Sequence, residues 1–315
     1  MGMLAKIAKS VADGTFSGKV RARLVRRLCA GNAGVDVLLW KAAESARLRK
    51  DYAGVLEKAA AAAPPPGEFS RTTWTCWLPG PADTPPLIRA CQESLRRNMP
   101  GREVAVLSAA TLRDWLDLPD FVLEKHAACI IPPTQFSDII RCALLCRYGG
   151  MWCDATVLCT APDFPAFAAG LPLFAFKEFD LARTGDAPIL ASSWFLAARA
   201  HHPILETTLA LLYAYWEREN SLRHYFLFHL FFAMAARRFP DDWESVPNFD
   251  NHGPHTLMFE LGKPFSPDRW KWILRASDIH KLNRHLSFEG QSGTFYHYVL
   301  REFLPADAPR EAAAP

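Results

Sequence analysis

Three charged residues stand at spacings that could do chemistry: Asp138, Arg141 and Asp154. They fall in the stretch Pro132-Pro133-Thr134-Gln135-Phe136-Ser137-Asp138-Ile139-Ile140-Arg141, which continues through Tyr148-Gly149-Gly150-Met151-Trp152-Cys153-Asp154-Ala155-Thr156. Asp138 and Arg141 are i and i+3, so on a helix they share one face while Ile140, Ala143 and Leu144 point elsewhere. Such a face could hold a diphosphate-linked sugar, with the guanidinium fork and the carboxylate meeting its oxygens. An intrahelical ion pair would give the same spacing. Asp154, delivered to a turn by an apolar strand, could be a metal or ribose ligand or a turn residue. Each residue alone leaves both alternatives open.

The elements that must position these residues can be read from local pattern. A helix opens after the two prolines, and Gly149-Gly150 closes it at a left-handed cap before a strand reaches Asp154. Upstream, Thr72–Leu78 is β-branched and aromatic and stops at Pro79-Gly80, as a buried strand would. A helix over 85–98, a strand over Glu103–Leu107 and a helix opening near Ser108 follow, an order that favours an α/β domain with parallel strands. Leu190–Ala198 reads as another strand, and 202–219 and 222–239 as helices. The C-terminal third is rich in Pro, His and Trp with little periodicity, and is expected to be loops over the sheet edge.

The 315 residues are half hydrophobic and 22% charged, the makeup of a folded protein. The net charge of +3 is too balanced to argue for nucleic acid. Residues 1–66, however, hold 12 Lys/Arg against 5 Asp/Glu, while the remainder is mildly acidic. That stretch reads as two basic amphipathic helices, broken near Gly31 and Gly34 and ended by Pro64-Pro65-Pro66-Gly67. It lacks the aromatic interleaving of a single-strand nucleic-acid binder. The expected organisation is therefore a basic helical extension with linker (1–66), a catalytic body (67–304) and a disordered tail (305–315). The eight cysteines form no CxxC spacing, which favours a reducing compartment. Neither a signal peptide nor a membrane-spanning run is expected. Nucleophile-elbow, P-loop, zincin and dinucleotide fingerprints are lacking from the sequence.

Ser137-Asp138-x-x-Arg141 followed by Gly149-Gly150-x-Trp152-x-Asp154 resembles the capsular polysaccharide synthesis protein family, related to glycosyltransferases with a DXD-containing sugar-binding region. Further boxes resemble it in the same order over roughly residues 72–285: Trp74-Thr75-Cys76-Trp77, Ala191-Ser192-Ser193-Trp194-Phe195, Tyr225-Phe226-Leu227-Phe228-His229, and Ser277-Asp278-Ile279-His280-Lys281-Leu282. The resemblance implies a GT-A type, Rossmann-like nucleotide-sugar-binding fold. It also implies transfer of a sugar, with retention, from a nucleotide-sugar donor to a capsular or other cell-surface polysaccharide or its lipid-linked precursor. Asp138, Arg141 and Asp154 would be catalytic. Trp74 and Trp77 would lie near the base of the donor. Ser193 and Trp194, with His252 and His255, would shape the sugar pocket, and Lys281 would meet the phosphates.

Asp154 would be the first acid of the DXD position, ligating Mn²⁺ or Mg²⁺ with Thr156 and His280. Thr156 departs from the fuller pattern, and a hydroxyl is a poorer ligand for a hard cation than a carboxylate. The departure keeps open a degenerate relative that binds nucleotide-sugar or glycan without turnover. A cytoplasmic enzyme, peripheral on the inner membrane of a bacterial cell or attached to a capsule-assembly partner through its basic helices, completes the expectation.

Overall fold

A computed structural model describes residues 33–178, 187–288 and 290–304. The first half of the expected basic extension and the expected tail from 305 lie outside the described residues. Two helices come first, α1 (Ala33–Asp51) and α2 (Ala53–Ala62). The α/β body begins with β1 (Thr72–Cys76), α3 (Pro86–Asn98), β2 (Glu103–Leu107), α4 (Asp120–Ala127) and α5 (Pro133–Tyr148). It continues with β3 (Gly150–Cys153), β4 (Val157–Cys159), α6 (Asp163–Ala169), β5 (Leu173–Lys177) and β6 (Ala191–Ala198). Helices α7 (Pro203–Arg218), α8 (Leu227–Arg238), α9 (Pro240–Ser245), α10 (His252–Glu260) and α11 (Pro267–Ala276) lead to β7 (Ile279–Lys281) and α12 (Phe295–Phe303).

The main sheet has the order β2-β1-β3-β6-β5. Its first three strands are parallel, and β6 joins β3 and β5 antiparallel. A separate ribbon pairs β4 with β7. This is the expected α/β class, with a parallel-rich centre consistent with a Rossmann-like domain. Strand alternation sends side chains to two faces. Trp152 and Leu196 face one core, shared with α5, α7 and α8. Met151, Cys153, Phe174 and Phe195 face a second, covered in part by Leu95 and Met99.

Helices α1 and α2 do not stand apart from the body: Leu48 and Tyr52 are buried in the main core, with the Tyr52 ring 5.3 Å from Phe231 and 6.1 Å from Tyr215. Of the two expected helices, the first lies outside the described residues, and the second is divided at Tyr52 into α1 and α2, which meet α7 and α8. One expectation, that of loops in the C-terminal third, changes here. The C-terminal third is mainly helical, with a core of its own where Leu257, Trp270, Ile273, Phe295 and Val299 meet Leu87 and Cys91 of α3. Among these short helices, α10 packs on β7 and α11, and α12 packs on α3.

The passage from α5 into β3 depends on glycine. Gly149 and Gly150 have φ of 66° and 98°, a region L side chains rarely adopt. Space is short as well, since a Cβ on Gly149 would lie 2.6 Å from Ala200 N and one on Gly150 would press on the Thr72 carbonyl. Trp74 Nε1 donates to the Gly149 carbonyl at 2.9 Å and pins the turn from below. Gly150→Ala is therefore expected to cost about 2–4 kcal/mol, measured as a fall in the urea midpoint. Gly54→Ala, on an exposed helical position with open space around it, should stabilise by about 0.5–1 kcal/mol. An unchanged midpoint for Gly150→Ala would refute the close-approach argument.

Candidate functional site

A cleft of about 680 Å³ opens beyond the carboxyl ends of β1 and β3, the place where open α/β sheets bind ligands. Its walls come from the segment after β1 (Trp77, Leu78), the first turns of α5 (Gln135, Asp138, Arg141), the turn after β3 (Asp154, Thr156) and the chain from Lys281 to His285. The β3 turn is tied to the sheet by Asp154 N donating to Trp194 O at 2.9 Å. The β4–β7 ribbon sets Val157 opposite Lys281, and Leu282 N donates to Thr156 O at 2.9 Å.

These ties place Asp154 between two cations. Its Oδ1 lies 3.1 Å from Arg141 Nη2 and accepts from Trp152 Nε1 at 2.9 Å. Its Oδ2 accepts from Lys281 Nζ at 2.7 Å, and the same ammonium donates to Thr156 Oγ1 at 2.9 Å. Burial pushes the Asp154 carboxyl up, but Lys281 and Arg141 outweigh it and hold it below the usual carboxylate range.

Arg141 is buried, and both ends of its fork are committed inside the protein. Nη1 donates to Ser193 O at 2.7 Å, while Nη2 also lies 3.4 Å from Asp138 Oδ1. The shorter carboxylate contact is to Asp154, so Arg141 joins α5 to the β3 turn and is more than half of an intrahelical pair. Asp138 is pushed up to about 7 by burial, with Arg141 pulling down and Asp154 adding to the rise.

The remaining expected residues divide. Trp77 and Ser193 line the cleft, and the Arg284 guanidinium lies 5.3 Å from the Trp77 ring. His255 lines it too, whereas His252 is exposed beside Asp250. Trp74 is not at the cleft: it sits in the core, its ring 4.9 Å from Trp115. Trp194 stacks on Phe176 at 4.7 Å and donates to Asn251 Oδ1, supporting the wall from behind. His280 is fully buried on the opposite side of β7 from Lys281, because adjacent strand residues face opposite ways. Its Nε2 is 3.2 Å from Thr160 Oγ1, and burial takes it down to about 3.

Several lining residues were missed in the sequence. Gln135 shares the three-residue spacing of Asp138 and Arg141, a signal that could have found it. Its Nε2 donates to Tyr225 O at 2.9 Å, leaving its buried Oε1 without a partner. His229 also lines the cleft with an unpartnered Nδ1, held neutral by burial and by Arg141, with its pKa down to about 3. Tyr225 stands exposed at the rim, and Arg284 and His285 occupy the mouth beyond Lys281.

The side chains present do not fit a divalent cation. Hard cations take about six oxygen ligands, yet both Asp154 oxygens and the Thr156 hydroxyl are already engaged by cationic or N–H donors. The expected third ligand, His280, faces away. No group of three His, Cys, Asp or Glu suited to a metal occurs among the described residues.

The chain is similar to known proteins in two comparisons. A family model described as "Capsular polysaccharide synthesis protein" matches residues 41–299, beginning inside α1. Among solved structures, one titled "PaToxG Glycosyltransferase" is similar at 14% identity, covering 65% of this chain and 82% of that chain, with a TM-score of 0.39. No curated protein matches.

The raised Asp138 has a consequence for stability. The native state holds a proton that the unfolded chain releases near its ordinary value of about 3.9. Stability from this group is full below that value and is lost as the pH climbs to about 7. Asp138→Asn keeps the shape without the charge and should flatten the decline. Urea midpoints of the two proteins that run parallel from acid to neutral pH would contradict the assignment.

Proposed function

Because the chain belongs to the capsular polysaccharide synthesis protein family, we propose that it is a glycosyltransferase that moves a sugar from a nucleotide-sugar donor to a cell-surface polysaccharide or lipid-linked precursor. The observation that carries this reading is the cleft at the carboxyl end of the parallel strands. There Asp154 is clamped between Lys281 and Arg141 while Asp138 tends to neutrality. With two fixed cations against one firmly ionised carboxylate, the floor is electropositive and suits a diphosphate. The first turn of α5, Pro133 to Gln135, lies along the same wall and sets the positive end of the helix dipole beside it.

The aromatic faces of Trp77 and Tyr225 suit a base or sugar ring, and the unpartnered Gln135 Oε1 and His229 Nδ1 suit neutral hydroxyls. In transfer, the bond from the anomeric carbon to the diphosphate oxygen breaks, and its electron pair leaves with the phosphate. The acceptor hydroxyl bonds to the anomeric carbon and gives its proton to the departing phosphate oxygen. Lys281 offsets the charge that develops on that oxygen. Asp154 fixes the Lys281 ammonium, and Arg141 fixes Asp154. Retention of configuration is part of the proposal.

The test is turnover of a panel of UDP- and GDP-sugars by the purified protein, followed as release of nucleoside diphosphate. Asp154→Asn is expected to lower turnover by about 10²–10³-fold, and Arg141→Lys, which cannot reach Ser193 O and Asp154 together, by a comparable amount. A folded Asp154→Asn variant with near-normal turnover would remove the site assignment. Donor binding without turnover by the wild-type protein would favour the non-catalytic relative.

We also propose attachment to an anionic membrane face. The start of α1 exposes Val37, Leu38, Leu39 and Trp40, next to a sequence that carries seven Lys/Arg against one Asp over residues 1–32. Apolar insertion flanked by basic charge is the pattern of an interfacial helix. No helix among the described residues is long and apolar enough to cross a membrane. Deleting residues 1–66 would strip Leu48 and Tyr52 from the core, so point variants are the cleaner probe. Leu38→Glu should reduce co-sedimentation with anionic vesicles while leaving stability unchanged. Binding that ignores both Leu38→Glu and added salt would end the proposal.

A further inference from the structure

Resting on that reading of the cleft, we propose that the Lys281 ammonium takes the place of the divalent cation, so that donor binding and transfer proceed without metal. Lys281 Nζ sits between Asp154 Oδ2 and Thr156 Oγ1, at 2.7 and 2.9 Å. These are the two side chains at the ends of the Asp-Ala-Thr turn, where a metal-dependent enzyme would present its ligands. An ammonium has three N–H donors. Two go to the turn, and the third is left for the cleft, which Lys281 lines.

The position is fixed by backbone. Lys281 pairs with Val157 across the β4–β7 ribbon, and Leu282 N closes on Thr156 O. A dication entering here would have to displace Nζ and would still face Arg141, 3.1 Å from the same carboxylate. Thr156 then has a reason of its own. A hydroxyl accepts from the ammonium while adding no charge, whereas a second acid would cancel the positive charge meant for the diphosphate. Arg284 and His285 extend the basic side toward the mouth.

The prediction concerns nucleoside diphosphates, the part of the donor that a cation would grip. The full-length protein is titrated calorimetrically with UDP and with GDP, in EDTA and again in excess MnCl₂. Affinity for whichever nucleotide binds is expected to agree between the two conditions within about threefold, and Lys281→Ala is expected to weaken it about tenfold or more in EDTA. Binding that is at least about tenfold tighter in MnCl₂ would overturn metal independence and leave the transferase reading standing. An unchanged affinity in a folded Lys281→Ala variant would also overturn it. Failure of both UDP and GDP to bind, in EDTA and in MnCl₂ alike, would overturn this proposal together with the donor assignment beneath it.

Discussion

A guanidinium buried away from water calls for acceptors, and much of the structure follows from supplying them to the two ends of the Arg141 fork, its Nε being left without a partner. Leaving a buried charge unpaired costs about 3–5 kcal/mol, so Ser193 O, Asp154 and Asp138 converge on it from three elements of different sequence position. Trp152 and Phe228 close over its faces, at 5.2 and 5.8 Å from the ring centroids. The convergence sets where α5, β3 and β6 must meet, and Gly149-Gly150 makes the meeting possible by letting helix pass directly into strand. Lys281 is the fourth party. It reaches Asp154 only because β7 pairs with β4, so the same carboxylate joins the sheet to the C-terminal layer.

Much of this was legible where local pattern and tertiary demand agree. The prolines before α5, the glycines after it and the apolar run ending at Asp154 name their own conformations, and β2 falls where its β-branched residues put it. Other readings failed for definite reasons. Alternation says that His280 and Lys281 face opposite ways, but only the pairing of β7 with β4, more than a hundred residues earlier, says which one faces the cleft. An aromatic residue in a buried strand has two faces to choose from, and Trp74 chose the core, where its indole N–H serves a turn carbonyl. The amphipathic character of α1 and α2 says that one side is covered and is silent about the cover.

The C-terminal helices were hidden by composition. Proline read there as a breaker, yet Pro267 occupies the first turn of α11, where its missing N–H costs nothing, and Ser266 accepts from Arg269 N as the cap. The packing surface there is supplied chiefly by Leu, Phe and Tyr, spread over helices too short to show a period. Electrostatics is the other part that sequence leaves out. Asp138 and Asp154 are the same residue type in one cleft, and their environments separate them, one raised by burial and the other lowered by two cations. His229, lining the same cleft, is held neutral in the same way, by burial and by Arg141.

Asp154 and Lys281 stand 127 positions apart in the sequence, and a ribosome delivers them in that order. The sheet, α5 and the Arg141–Asp154 pair can form while the C-terminal layer is still unmade, and at that stage the carboxylate has one cation instead of two. The ammonium arrives with β7, whose neighbouring Ile279 is buried and whose surrounding layer closes only when Phe295, Val299 and Phe303 of α12 pack on α3. A nascent chain can thus own the sheet and the Arg141–Asp154 pair while the Lys281 wall of the cleft is still missing. Of the groups that meet at Asp154, Lys281 is the last to be made.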